Sequence, residues 1–231
     1  MTIPPPTLKQ VIDFVLLMLT VVGGAVIGAV QYRRLPQNLR YLAWLAWFEL
    51  PLELLGSALG FLHHNNLFIM PFYTVGELAL LALVYRSTLQ SAAFNRALPW
   101  LVGGFTAYTV LDSLLAADLT SWFRPGQQVI QSLLILGMVS LYFRKLLREL
   151  LVRHLEREPM FWVSVGLALY FVGYLQIALF SNYMLKHYSL QFNRNIWNIN
   201  FGLTLVLHSC YCWALGRRGQ PTAPAWPTEV G

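Results

Sequence analysis

Apolar residues fall into seven long blocks along the 231-residue chain, separated by short polar or basic stretches. The blocks run over about Leu8–Gln31, Leu39–Phe61, Leu67–Leu89, Leu98–Ala117, Gln127–Leu147, Pro159–Leu185 and Asn195–Gly216. Each is close to the ~20 residues that carry a helix across a ~30 Å hydrocarbon core. Helix is the expected form, because lipid offers no partner to a free backbone N–H or C=O. The pattern predicts an all-α membrane protein, a seven-transmembrane-helix bundle spanning residues 1–216. The Pro-rich stretch 217–231 is expected to be a disordered cytoplasmic tail. Pro51 and Pro71 are expected to bend the second and third helices and to free a carbonyl in each. No internal repeat emerges. The single Pro36-Gln37 pair, a mark of PQ-loop transporters, has no second copy and carries little weight.

Composition agrees with the pattern. Hydrophobic residues make up 57% of the chain, charged residues 11%, and mean hydropathy is +0.54, which excludes an ordinary soluble domain. The longest connection, Arg144 to Glu158, has about 15 residues, too few for a second folded unit. A signalling output would therefore need a separate cytoplasmic protein. The net charge of +6 is scattered through short loops without interleaved aromatics, so nucleic acid is not an expected partner. Cys210 and Cys212, two apart in one helix, fit neither an ordinary disulfide nor a zinc site and are expected to be packing residues.

The basic residues give an orientation. Arg33, Arg34, Arg40, Arg86, Arg96, Arg144, Lys145, Arg148, Arg153, Arg157, Arg217 and Arg218 fall on one side, against Lys9, Arg124, Lys186 and Arg194 on the other. Twelve against four in short loops predicts the N-terminus outside and the C-terminus inside. The first block is too long for a signal-peptide core, and its arginines follow it, so it reads as a spanning helix. Trp44, Trp47, Trp100, Trp122, Trp162 and Trp197 fall mostly near expected interfaces.

The polar residues inside these blocks carry the functional signal. Ionisable groups at membrane depth are costly and face protein or a wet cavity. Counting ~1.5 Å per residue puts Glu53 and Glu77 about 15 Å from the outer helix ends. Glu49 and His208 share a level near 21 Å, and Asp13, Asp112, Asn182, Asn198 and Asn200 lie within about 10 Å. At helical spacing, Glu49, Glu53, Gly56 and Gly60 share one face, as do Tyr73 and Glu77, Thr109 and Asp112, Tyr170, Tyr174 and Ser181, and Asn200, Thr204, His208 and Tyr211. These stripes predict an interior polar column opening outward. Its candidate ligand-binding residues are Glu53, Glu77, Tyr73, Asp112, Asn198 and Asn200, with Glu49 and His208 as relay candidates.

Plainer readings compete with each of these. Asp13 near the surface is expected to be solvated. His208 taken alone reads more readily as a hydrogen-bonded core histidine, and Glu49 as a strut between helices. The His63-His64-Asn65-Asn66 turn reads better as a polar turn whose asparagines satisfy backbone groups than as a metal lip or pH sensor. Gly24/Gly28 and Gly56/Gly60 are GxxxG pairs, for which packing within the bundle is preferred to dimerisation.

Three pieces resemble a family of small seven-helix membrane proteins from Bacteroidota-type bacteria. They are the Asn66…Tyr73…Glu77 run, the FWVSVGLALYF segment from Phe161 to Phe171, and Asn198 with Asn200 at the start of the last block. The resemblance covers most of the helical region but not the histidine turn or Glu49. It implies a bacterial inner membrane location. Related seven-helix modules are often sensor inputs, so it also implies a sensing role.

The expected function is thus a sensor or receptor-like protein binding a small or amphipathic molecule. A small-solute or proton-coupled transporter is the first alternative, since midplane carboxylates serve such pathways. A membrane lipid hydrolase is the second. The ceramidase type would need a paired HxxxH that is missing, whereas lysoplasmalogen-type hydrolases that rely on acidic residues would suit Asp112 and Glu77. No acid/base constellation, metal set or cofactor motif can be assembled from the spacing. A retinal photoreceptor would need a Schiff-base lysine within the bundle, and Lys186 falls in a loop.

Overall fold

The computed structural model describes residues 7–62, 64–115, 125–149 and 155–217. Seven α-helices account for nearly all of them: α1 Leu8–Gln31, α2 Gln37–Phe61, α3 Met70–Leu89, α4 Ala92–Leu115, α5 Pro125–Glu149, α6 Pro159–His187 and α7 Leu190–Gly216. All seven are long and apolar enough to cross a membrane, and no strand occurs among the described residues. Residues 218–231, His63, Trp122, Arg124 and Arg153 lie outside the described residues, so the expected disordered tail is outside them too.

Local chemistry fixes the helix ends. Thr7 caps α1 in a reciprocal box with Gln10: the Gln10 amide donates to Thr7 Oγ1 at 3.4 Å, and the Thr7 amide donates to Gln10 Oε1 at 2.8 Å. Ser189 caps α7 by accepting from the Phe192 amide. At the other end of α3, Gln90 takes a left-handed conformation, φ 50°, and Lys145 Nζ donates to the last carbonyls, Thr88 and Leu89, at 3.1 and 3.0 Å. A cation there satisfies orphan acceptors and complements the helix dipole.

Two proline expectations divide. Pro51 lies inside α2, where it leaves the Trp47 carbonyl without its amide partner. Pro71 does not interrupt α3. It occupies the first turn, where a missing N–H costs nothing, and a 3₁₀ turn over Leu67–Ile69 leads into it. The fourth helix also begins earlier than its apolar block, at Ala92, and carries Pro99 in its interior.

The helices form a ring in the order α1, α2, α3, α5, α6, α7, which closes on α1. Helix α4 stands outside the ring against α3 and barely touches α5. Close approaches lock several neighbours. Gly28 faces Ala43 of α2 and Leu215 of α7, and a Cβ on it would lie 3.0 Å from that of Ala43. The Phe48 ring fills the notch at Gly76, so a side chain there would require the ring to move. Thus Gly24/Gly28 packs within the bundle as expected. Gly56/Gly60 does not: Gly60 has open space beside it, and Gly56 has only Asn66 nearby. Cys210 packs on Gly166, and Cys212 Sγ donates to the Thr20 carbonyl at 3.1 Å.

The apolar core sits at one end of the ring. Leu39, Leu42 and Leu45 of α2, Leu81, Val84 and Tyr85 of α3, Ile135 and Val139 of α5, Val163 and Leu167 of α6, and Ala214 and Leu215 of α7 are all nearly solvent-free. This is the end that carries Arg33, Arg34, Arg86, Arg144 and Arg217 and is called here the basic end. The end with the α2–α3 turn is called the turn end.

Candidate functional site

Towards the turn end the ring opens into a cavity of about 360 Å³. Six helices line it: Leu17 of α1 and, at helical spacing, Glu53 and Gly56 of α2, Tyr73 and Glu77 of α3, Gln128 and Gln131 of α5, Tyr170 and Tyr174 of α6, and Asn200, Thr204 and His208 of α7. Asn66 and Trp197, both exposed, stand at its rim, while Glu77 and His208 at its floor are buried. The small Gly56 keeps the wall above Glu53 open. Asn66, Tyr73 and Glu77 all face this space.

Each polar group has a local arrangement. Glu77 Oε2 accepts from Gln131 Nε2 at 2.7 Å, and the same amide nitrogen lies 3.3 Å from the Thr74 carbonyl. The Tyr73 hydroxyl lies beside Glu53. Tyr170 and Tyr174 stack at 5.6 Å with rings nearly parallel. Asn200 Oδ1 is buried without a hydrogen-bond partner. Among the described residues no lysine or arginine lines the cavity, and its ionisable groups include the carboxyls of Glu53 and Glu77 and the His208 imidazole.

Glu49 lies one turn below Glu53, almost fully buried. Its Oε2 is 3.5 Å from His208 Nε2, the contact that the depth count anticipates. Neither atom makes a hydrogen bond. His208 Nδ1 is 2.9 Å from the Thr204 carbonyl. A carbonyl can only accept, so Nδ1 carries a proton and Nε2 is the nitrogen that faces Glu49. One further proton placed between Nε2 and Oε2 makes either an ion pair or a neutral pair. Among the described residues no three His, Cys, Asp or Glu side chains converge closely enough to hold a metal ion.

Two of the expected lining residues lie away from this cavity. Asp112 belongs to α4, outside the ring, and accepts from Gln127 Nε2 at 2.7 Å. Asn198 is exposed and accepts from Lys9 Nζ at 2.7 Å. It precedes Asn200 by two residues, a turn of roughly 200° about a helix, so the two cannot share a face. Gln128 and Gln131 are the residues sequence reasoning missed. Their signal is Gln127-Gln128-x-x-Gln131 at the head of an apolar block, with 128 and 131 one helical turn apart. The asparagines of the α2–α3 turn do what turn chemistry expects. Asn65 Oδ1 accepts from the Leu67 amide at 2.9 Å, and Asn66 Nδ2 donates to the Gly56 carbonyl at 3.1 Å.

Comparison with family models, with curated proteins and with solved structures found no match to this chain.

Proposed function

We propose that this chain is a receptor-like sensor of the bacterial inner membrane that binds a small molecule carrying a cationic or amine group. The observation that carries this reading is the lining of the cavity. Glu53 and Glu77 sit among the rings of Tyr73, Tyr170 and Tyr174 with no lysine or arginine in the lining among the described residues, and the basic group there is His208 at the floor, which faces Glu49. Carboxylates supply the charge for a cation, and ring faces add cation–π attraction worth about 0.5–2 kcal/mol each where water is excluded. Glutamine and asparagine amides, including the unpartnered Asn200 Oδ1, can take the remaining N–H groups of such a ligand.

The orientation we propose is N-terminus outside and C-terminus inside, supported by the twelve-to-four bias of basic residues. The cavity then opens outward, and the basic end faces the cytoplasm, where a separate signalling protein would contact it. The family resemblance supports a sensing role in the same sense. A transporter needs access to the site from both faces, and the close-packed basic end favours binding over carriage. The experiment is native mass spectrometry of mildly solubilised protein, wild type against Glu53→Gln. The expected result is a bound small molecule on the wild type that is lost from the variant. No bound species on either, with equal melting, would return both glutamates to a role as struts.

A further inference from the structure

A second cavity of about 450 Å³ lies beside the first, between α3, α4 and α5. Its walls are Phe68, Phe72 and Val75 on one side and Val110 and Leu114 on the other. It exists because α4 leans on α3 and hardly meets α5, which leaves a lateral gap. Phe72, Val110 and Leu114 are exposed where they border it, so in a bilayer the gap faces lipid.

The two cavities share two residues, Met70 and Gln128, which line both. This partition is weakly held. Among the described residues, Gln128 Nε2 has the Met70 thioether at 3.6 Å as its side-chain acceptor, and a thioether is a poor acceptor. Methionine is unbranched and flexible, so its side chain can swing aside without moving a helix. By contrast, the neighbouring Gln131 is fixed by Glu77 at 2.7 Å.

An acidic, aromatic chamber thus adjoins an apolar groove through a displaceable pair of side chains. Building on the cationic-ligand reading, we infer that the ligand is a single-chain amphipath that enters sideways from the bilayer. Its ammonium head lies between Glu53 and Glu77, and its alkyl chain passes Met70 and Gln128 into the α3–α4–α5 groove. The groove's lining matches a hydrocarbon chain, and the chamber's charge matches the head. Neither cavity alone suits both parts of such a molecule.

The test uses full-length protein in nanodiscs with a dodecylammonium probe that carries a diazirine near the chain end. Photolabelling followed by peptide mapping is expected to place the label on Phe72, Val110 or Leu114. Excess unlabelled dodecylammonium should remove it. Label spread equally over other lipid-facing positions such as Val22 and Val26, or label that excess amine does not displace, would overturn the inference. Val110→Trp, which fills the groove from a position already exposed to lipid, should weaken dodecylammonium binding at least tenfold and leave butylammonium binding within twofold. Equal dodecylammonium affinity in Val110→Trp and wild type would also overturn it. Butylammonium binding separates the two readings: if it is retained when the tail label is random, the chamber site stands and the groove does not.

Discussion

The two ends of this bundle follow opposite rules of construction. At the basic end, Leu42, Leu45, Leu81, Val84, Ile135, Val163, Leu167 and Leu215 interlock with almost no exposed surface; Tyr85 and Ser164 meet there at 2.9 Å, and the Tyr142 hydroxyl beside them is buried without a hydrogen-bond partner. At the turn end the same helices leave a cavity lined by Glu53, Glu77, Gln131, Asn200 and His208, where Asn200 Oδ1 and His208 Nε2 make no hydrogen bond. In lipid, helices associate through packing and interhelical hydrogen bonds and not through exclusion of water. One end of the ring can therefore hold it together while the other stays open. The difference places the close packing and the polar cavity at opposite ends of the ring, so changes at the two ends should have different readouts.

The largest contrast should come from equal truncations. Leu81→Ala in the packed end is expected to cost about 2–5 kcal/mol in unfolding experiments, because the surrounding side chains cannot collapse into the space left. Leu52→Ala, on the cavity wall, should cost less than about 1 kcal/mol, since it enlarges a space already open. Equal costs would erase the division.

Next in size is the effect of Glu77→Gln. The substituted amide can turn its oxygen to Gln131 Nε2, so the fold should hold. Loss of the negative charge should weaken binding of a cationic ligand at least tenfold, about 1.4 kcal/mol. Titration calorimetry and a melting curve on the same sample separate the two outcomes.

A smaller, purely structural loss is expected from Tyr85→Phe. It removes the hydroxyl facing Ser164 and leaves a buried serine oxygen without that partner, at a cost of about 1–2 kcal/mol. Ligand binding should be unchanged, and a change in affinity would show that the packed end communicates with the site through this contact.

The smallest effect concerns pH. Glu158 precedes α6 just outside the sixth span, and partial burial pushes its carboxyl up from the usual range. The folded state therefore holds that proton more tightly than the unfolded chain. The stabilisation this gives is present at low pH and fades as pH rises through the raised value. Glu158→Gln should flatten this slope, with a melting-temperature change of about 1 °C or less between acidic and mildly basic buffer. An unaltered slope in the variant would assign it to other groups.

The fold was largely legible because membrane helices announce themselves by length and hydropathy. Six of the seven observed helices begin within five residues of their apolar blocks. The fourth begins six earlier, because Ala92-Ala93-Phe94-Asn95-Arg96-Ala97 is too polar to read as a span and Pro99 resembles a first-turn proline. Within the site, Glu53, Tyr73, Glu77, Asn200 and His208 could be found from depth and face alone. Gln128 and Gln131 were hidden because neutral amides near a helix end look like interface residues. The placement of Asp112 outside the ring could not be read locally, because which helix leaves a ring is decided by packing between distant segments. Asn198 was different. Its position opposite Asn200 follows from helical geometry and was open to view.

The most direct test of the central claim, that the turn end holds a site selective for cations, is a calorimetric titration of butylammonium into reconstituted wild type, Glu53→Gln and Glu77→Gln. The account predicts saturable one-site binding to the wild type, at least tenfold weaker in each variant, with all three proteins melting alike. Binding that is absent from the wild type, or equal in all three, would contradict it.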